Sequence, residues 1–256
     1  MKKEFLGIYT IWLRDVKRYY RDKPRIIGSF AQPVLFLLVL GTGLASSFAF
    51  FGSARGDDYL NFMFPGIVGM TILFASFFGA MSIVWDREFG FLKEVLVSPI
   101  SRTSIVAGKI LGGSTVAIMQ GTIILLFSPL LNNPILLMDI IKSFGLMFLL
   151  AVTISSLGII LASIIKTMQG FQVITNFLLM PMFFLSSAIF PLLDAPRWMI
   201  FLSKINPLTY GIDAIRYVML RDASMQFFPL WLNIVVLCSV SVLMSITGTL
   251  LFHRQQ

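Results

Sequence analysis

SFGLMFLLAVTISSLGIILASII, residues 143–165, runs from Lys142 to Lys166 without a charge. A helix rises ~1.5 Å per residue and the hydrocarbon core of a bilayer is ~30 Å thick, so about 20 apolar residues cross it. Five more uncharged stretches of spanning length occur, at 26–54, 59–85, 110–138, 167–193 and 223–252. Backbone N–H and C=O groups in hydrocarbon find no water; helices satisfy them internally, and the short alternating segments of a membrane barrel are not seen. The reading is an all-α integral membrane protein with six transmembrane helices in one domain, 1–256.

The composition excludes the main alternatives. Of 256 residues, 57% are hydrophobic and 12% charged, with a mean hydropathy of +0.88, whereas soluble domains carry roughly 25% charged residues. No region large enough for a fused soluble catalytic domain remains. One cysteine, Cys238, excludes an internal disulfide framework and a multi-cysteine metal site. One histidine, His253, excludes HExxH chemistry and a serine–histidine pair at membrane depth. Gly108 and Lys109 are followed by Ile110, so no P-loop is present. No catalytic residue, metal ligand or bound cofactor is assigned.

Lys and Arg set the expected orientation, because cytoplasmic loops retain positive charge. With the N-terminus inside, fourteen of the 20 basic residues fall on that side, and both termini are expected in the cytoplasm. The net charge of +8 does not point to nucleic acid, since the basic residues are spread over short loops where anionic lipid attracts them. Residues 1–25 lack the apolar core of a signal peptide and are expected to be retained. Phe5, Ile8, Tyr9, Trp12, Val16, Tyr19 and Tyr20 recur there at helical spacing, with Lys3, Arg14, Lys17, Arg18 and Arg21 on other faces. This predicts an interfacial helix, either a simple anchor or a mechanical element, set off from the first span by Pro24.

Two loops carry more pattern than a turn needs. DREFGFLKEVLVSPISRT, 86–103, has an apolar stripe of Phe89, Leu92, Val95 and Leu96 among Asp86, Arg87, Glu88, Lys93 and Glu94, and Pro99 ends it. A short amphipathic helix is expected, and its mixed charge favours a protein partner over lipid headgroups. Segment 190–222 opens at Phe190 and Pro191. In it Asn206 and Pro207 read as a helix N-cap and first position, with Leu208, Ile212, Ile215 and Met219 at helical spacing and Asp213 and Arg216 on the other side. Trp198 and Tyr210 suit the headgroup level, so a pair of short helices dipping into the outer leaflet is expected.

No ionisable group falls inside the six stretches, which argues against proton coupling. Uncharged polar groups do occur there, including Gln120, Gln172 and Asn176. They serve helix packing or face a transport path, as Phe183, Phe184 and Met180 serve core packing or an amphiphile. A transporter without coupling groups draws its energy from a separate motor subunit. Two other readings stay open: a membrane scaffold without transport, and a small ion-coupled carrier using uncharged oxygens.

The stretches DREFGFLKEVLVSPISRTSIVAGK (86–109) and FLSSAIFPLLDAPRWMIFLSKINPLTYGIDAIR (184–216) resemble the membrane subunits of type-2 ABC exporters, the permeases of drug and lipo-oligosaccharide export. The resemblance covers essentially the whole chain. It implies a multi-pass subunit of the cell (inner) membrane that pairs with a second permease, usually its own copy in a homodimer, and with two ABC ATPase subunits. ATP and magnesium would sit on those partners. Asp86, Arg87, Glu88, Phe89, Lys93, Glu94 and Arg102 would belong to the coupling segment seated on the ATPase, with the turn 166–169 as a smaller second contact. The hairpin containing Pro191, Trp198, Asn206, Pro207, Tyr210 and Asp213 would close the exit. The resemblance leaves the cargo open among drug, lipid and glycan.

Overall fold

A computed structural model describes residues 2–41, 43, 56–90, 100–130, 137–192, 195–221 and 226–253. Among them the backbone is helical, with no strand. The elements are α1 (Lys2–Arg21), α2 (Lys23–Leu35, continued by a π-helical stretch Phe36–Gly41), α3 (Gly56–Glu88), α4 (Arg102–Leu125), α5 (Leu137–Ile164), α6 (Met168–Phe184), α7 (Arg197–Ile205), α8 (Pro207–Leu220) and α9 (Leu230–His253).

Four helical segments are long and apolar enough to cross a membrane: Tyr59–Glu88, Arg102–Leu125, Met138–Ile164 and Leu230–His253. They account for four of the six uncharged stretches. In the other two, the described residues form a shorter apolar helix, Ile26–Val39, and the 17-residue α6. Charge-free runs also misplace an end. Helix α4 begins at Arg102, eight residues before its run, because Ser101 caps it by accepting from the Ser104 amide. It stops at Leu125, short of Pro129, which lies in a 3₁₀ turn, Ser128–Leu130. The absence of charge marks where hydrocarbon is tolerated; capping and proline mark where a helix ends.

Helix α3 is the axis of the bundle. Its most apolar window is 72% buried against 17% for α9, so α3 is enclosed by neighbours while α9 presents most of its surface outward. Phe64, Ile67, Ile72, Phe77 and Ile83 of α3 are essentially inaccessible, and the Phe77 ring stacks on Phe171 of α6 at 5.5 Å. Side-chain hydroxyls join α5 to α9, with Ser156 Oγ 2.9 Å from Ser245 Oγ. In hydrocarbon such neutral contacts and close packing replace the hydrophobic drive between helices.

Helix α8 folds against the end of α3 where it begins, and the short α7 leads into it. Asn206 is the N-cap of α8: its Oδ1 accepts from the Leu208 amide, its Nδ2 donates to the Met182 carbonyl at 2.6 Å, and Pro207 follows as the first helical residue. The Tyr210 hydroxyl donates back to the Lys204 carbonyl and its ring stacks on Phe228 at 4.9 Å. Where α3 meets the turn before α7, Gly66 has no room for a side chain, since a Cβ there would lie 2.2 Å from the Ala188 carbonyl oxygen. Gly66→Ala should therefore lower the unfolding temperature in detergent, at a cost of about 1–3 kcal/mol. Gly145→Ala, with nothing within 4 Å of the added carbon, should leave it unchanged or raise it.

Candidate functional site

Helix α1 has one face on the bundle. It runs alongside α4 in the same direction: Gly7 meets Ile100, Ile11 meets Gly108, and Asp15 meets Gly112, where a Cβ would lie 2.8–3.0 Å from the facing side chain. Trp12 Nε1 donates to Thr115 Oγ1 at 2.9 Å, and Gln120 Nε2 donates to the Tyr19 hydroxyl at 2.9 Å. The buried stripe is thus Gly7, Ile11, Val16 and Tyr19, while Phe5, Leu6, Tyr9 and Tyr20 stay exposed. The amphipathic pattern has two apolar faces, one taken by α4 and one outward.

At this seam lies a buried charge cluster. The Lys109 ammonium, on a side chain only 5% exposed, donates to Asp86 Oδ2 at 3.0 Å, Ser82 Oγ at 2.8 Å and Asp15 Oδ1 at 3.3 Å. Arg14 Nη2 donates to Asp86 Oδ2 at 2.6 Å, and Arg18 lies 3.7 Å from Asp86 Oδ1 with its guanidinium 4.9 Å from the Trp85 ring centroid. Three cations and two carboxylates from α1, α3 and α4 therefore satisfy one another. Charged groups this deep are tolerated only when paired and hydrogen-bonded, so the three helices are held in one register.

Two further ties occupy the same end of the bundle. Glu4 accepts from Ser101 Oγ at 2.6 Å, Ser104 Oγ at 2.5 Å and the Ser101 amide at 3.0 Å, linking α1 to the first turn of α4. Those hydrogen bonds hold the Glu4 carboxyl down to about 2, from an ordinary 4.5. Arg87 Nη1 donates to the Ile165 carbonyl at 2.9 Å, and Glu88 Oε2 accepts from the Met168 amide at 3.1 Å. The end of α3 thus caps both the last turn of α5 and the first turn of α6. The end of the predicted coupling segment that lies in α3 and the turn after α5, predicted as separate contacts, are joined. Arg102 Nη1 donates to the His253 carbonyl, bringing the end of α9 to this face.

The predicted coupling residues consequently have different surroundings. Asp86 is buried in the ion cluster, Arg87, Glu88 and Arg102 bond within the chain, and Phe89 is 74% exposed. Lys93 and Glu94, with the rest of 91–99, lie outside the described residues. Of the path candidates, Gln120 and Phe183 are buried, Gln120 against Tyr19 and Phe183 against Phe36 and Phe184, whereas Gln172 and Asn176 lie on the exposed face of α6.

In the hairpin, Pro191 and Trp198 are exposed and Asn206, Pro207, Tyr210 and Asp213 are buried. Asp213 accepts from the amides of Phe227 and Phe228 at 2.8 and 2.9 Å and from Asn233 Nδ2 at 2.9 Å, holding the start of α9. Arg216, 1% exposed, donates to Ser187 Oγ at 3.1 Å and to the Phe62 carbonyl at 3.3 Å, with its guanidinium 3.9 Å from the Phe62 ring centroid. Residues 193–194 and 222 of the predicted hairpin are outside the described residues.

Sequence reasoning missed Lys109, Arg14 and Asp15 as a unit. The available signal was the pair of small residues Gly108 and Gly112 flanking a lysine, opposite a helix whose Asp15 interrupts a basic run. Among the described residues, no cluster of three or more His, Cys, Asp or Glu is arranged to hold a metal ion.

An all-helical membrane chain with these buried polar ties matches, over residues 7–220, the family described as ABC-2 type transporter. The chain belongs to the ABC-2 type transporter membrane family. It is 31% identical over 253 residues to ycf38 of Cyanophora paradoxa, a protein named as a transport permease, covering 93% of this chain and 86% of that protein. It is similar to Nodulation protein J of Rhizobium leguminosarum bv. viciae, at 26% identity over 258 residues, 98% of this chain and 95% of the relative. The Inner membrane transport permease YadH of Escherichia coli K12 shares 23% over 215 residues, 83% of this chain and 82% of its own length. This ABC-2 protein is accordingly a transport permease subunit rather than an enzyme, and permeases of this family generally work with an ABC ATPase.

Lys109→Met leaves Asp15 and Asp86 facing each other with less compensation. It should cost about 3 kcal/mol or more, measured as denaturant or thermal unfolding in detergent, with Arg14→Met costing less because its side chain is one-third exposed. The Glu4 tie has a defined pH window. A carboxyl held below its ordinary value contributes fully above pH 4.5 and progressively less as pH falls toward 2. The stability gap between wild type and Glu4→Gln should therefore be constant from pH 7 to pH 5 and narrow by pH 3, by thermal unfolding at each pH.

Proposed function

We propose that this chain is the membrane-spanning subunit of an ATP-driven exporter that moves an amphiphilic drug, lipid or glycolipid out of the cytoplasm by alternating access. The observation that carries the reading is the tied end of the bundle. There α1, α3, α4 and the α5–α6 turn are linked by the Lys109 cluster, the Glu4 cap and the Arg87–Glu88 clasp. A push delivered to the loop after α3, which contains Phe89, Lys93 and Glu94, reaches five helices together. In this arrangement Asp86, Arg87, Glu88 and Arg102 transmit force inside the chain, and the exposed Phe89 meets the partner. Two ABC ATPase subunits carrying ATP and magnesium supply the push.

In this reading the tied end is cytoplasmic and carries both termini, α2 and α6 complete a set of six spans, and the protein resides in the cell (inner) membrane. Helix α6, at 17 residues, is about 26 Å long, close to the ~30 Å hydrocarbon thickness. Its outward face presents Gln172 and Asn176 beside Phe177, which is 83% exposed. Amide side chains on a spanning face favour a helical partner over lipid, which supports pairing with a second permease, a homodimer, along α6. Gln172 and Asn176 would then border the path between the two copies, and α7 and α8 would close its outer end.

The reading is tested by purification in gentle detergent. An ABC ATPase is expected to co-elute, with its hydrolysis rising for at least one member of a panel of lipids, glycolipids and hydrophobic drugs. Elution of the permease by itself, with no ATPase in any detergent, would favour a scaffold. Cysteines at Lys166 and Arg197 should react with impermeant reagents from the cytoplasmic and outer sides respectively; the reverse pattern overturns the orientation.

A further inference from the structure

A cavity of about 440 Å³ opens between α1, α2, α3 and α4, within the size range of small-molecule sites. Along α3 its wall includes Thr71, Phe74, Ala75, Phe78, Ser82 and Trp85, a stripe at helical spacing. From Thr71 to Trp85 this stripe extends about 21 Å, two-thirds of a hydrocarbon core. Across it stand Ser29 and Gln32 of α2 and Gln120 of α4.

The hydrogen-bonding state of these groups defines what the cavity can take. Ser29 and Thr71 donate their hydroxyl hydrogens to the carbonyls of Ile26 and Ile67, so they offer acceptor lone pairs. Ser82 Oγ accepts from Lys109, which leaves its own hydrogen to donate. Gln120, 4% exposed, spends Nε2 on Tyr19, and its Oε1 has no hydrogen-bond partner among the described residues; the Gln32 carboxamide has none either. Gln120 is buried and Gln32 half-buried, and both border the cavity, so a molecule that enters can complete their hydrogen bonds. The charged residues in the wall are Arg18 and Asp22, of opposite sign, and Arg18 is already engaged by Asp86 and Trp85. The cavity therefore offers neutral donors and acceptors beside three aromatic rings and no net charge.

We propose that this cavity is a binding site for an amphiphile with an uncharged hydroxyl- or amide-bearing head, whose apolar chain lies along Phe74 and Phe78. The inference rests on the permease reading above and narrows its ligand class. Gln32 and Gln120 bond the head, and neither an anionic nor a cationic head finds an unpaired counter-charge in the wall.

The test uses the full chain in phosphatidylcholine nanodiscs and a dodecyl maltoside with a photoreactive diazirine in its alkyl chain. Labelling is expected on the peptides containing 28–33 and 71–85, displaced by unlabelled dodecyl maltoside but not by equal concentrations of dodecyl phosphate or dodecyltrimethylammonium. Gln32→Leu should weaken the apparent affinity about fivefold, the loss of one neutral hydrogen bond, and Ala75→Phe should abolish specific labelling by filling the space. Unchanged elution and unfolding temperature would show that both variants fold. Labelling spread over the outward faces of α6 and α9 and indifferent to both variants would overturn the proposal, as would equal displacement by the charged competitors. A second arm separates cargo from resident lipid. In the complex with its ATPase, a cargo raises ATP hydrolysis and a resident lipid does not, and either result leaves the site standing. Labelling of the chain needs no ATPase, so it can fail while the permease reading survives.

Discussion

Lys109 is a cation two turns inside an apolar helix, and the arrangement of the surrounding end of the molecule follows from the need to satisfy it. Its ammonium is too enclosed to be hydrated, so Asp86 must arrive from α3 and Asp15 from α1. Those two carboxylates in turn require Arg14 and Arg18, which anchors the basic face of α1 against the bundle. Small residues at Gly108 and Gly112 let the α1 backbone come close enough for these contacts. Removing any one charge exposes the others to an environment that solvates them poorly, and that interdependence makes three helices behave as one body.

At the opposite end the same physics recurs with different groups. Arg216 is enclosed and is held by the Ser187 hydroxyl and backbone carbonyls instead of a carboxylate, while Asp213 is spent on two backbone amides and Asn233. The turn before α7 and the start of α9 are thereby pinned to α8. Between the two polar ends, α3 supplies an apolar axis on which α4, α5, α6 and α8 pack.

Much of this was legible in advance. Charge-free runs identified the four long helices, and Asn206 with Pro207 marked the start of α8 to the residue, because an Asx cap followed by proline is a local event needing no tertiary information. Illegible were the partners. Nothing in the spacing of Arg87 and Glu88 tells that they cap the α5–α6 turn, nor that Asp86, expected at a surface, is buried. The counting of uncharged stretches even concealed Lys109, since a lysine that ends a run reads as a boundary until its two carboxylates are located.

Sequence alone determined that this protein lives in a membrane, is built of helices and resembles the ABC-2 permeases. These follow from composition, local periodicity and short motifs, which act over a few residues. Only the tertiary structure decided which charges are neutralised by which, that α1 shares its course with α4, and that Gln32, Gln120 and the α3 aromatics enclose one cavity. Each of those pairings joins residues tens of positions apart, where no local rule operates and the outcome depends on which buried groups can satisfy one another at once.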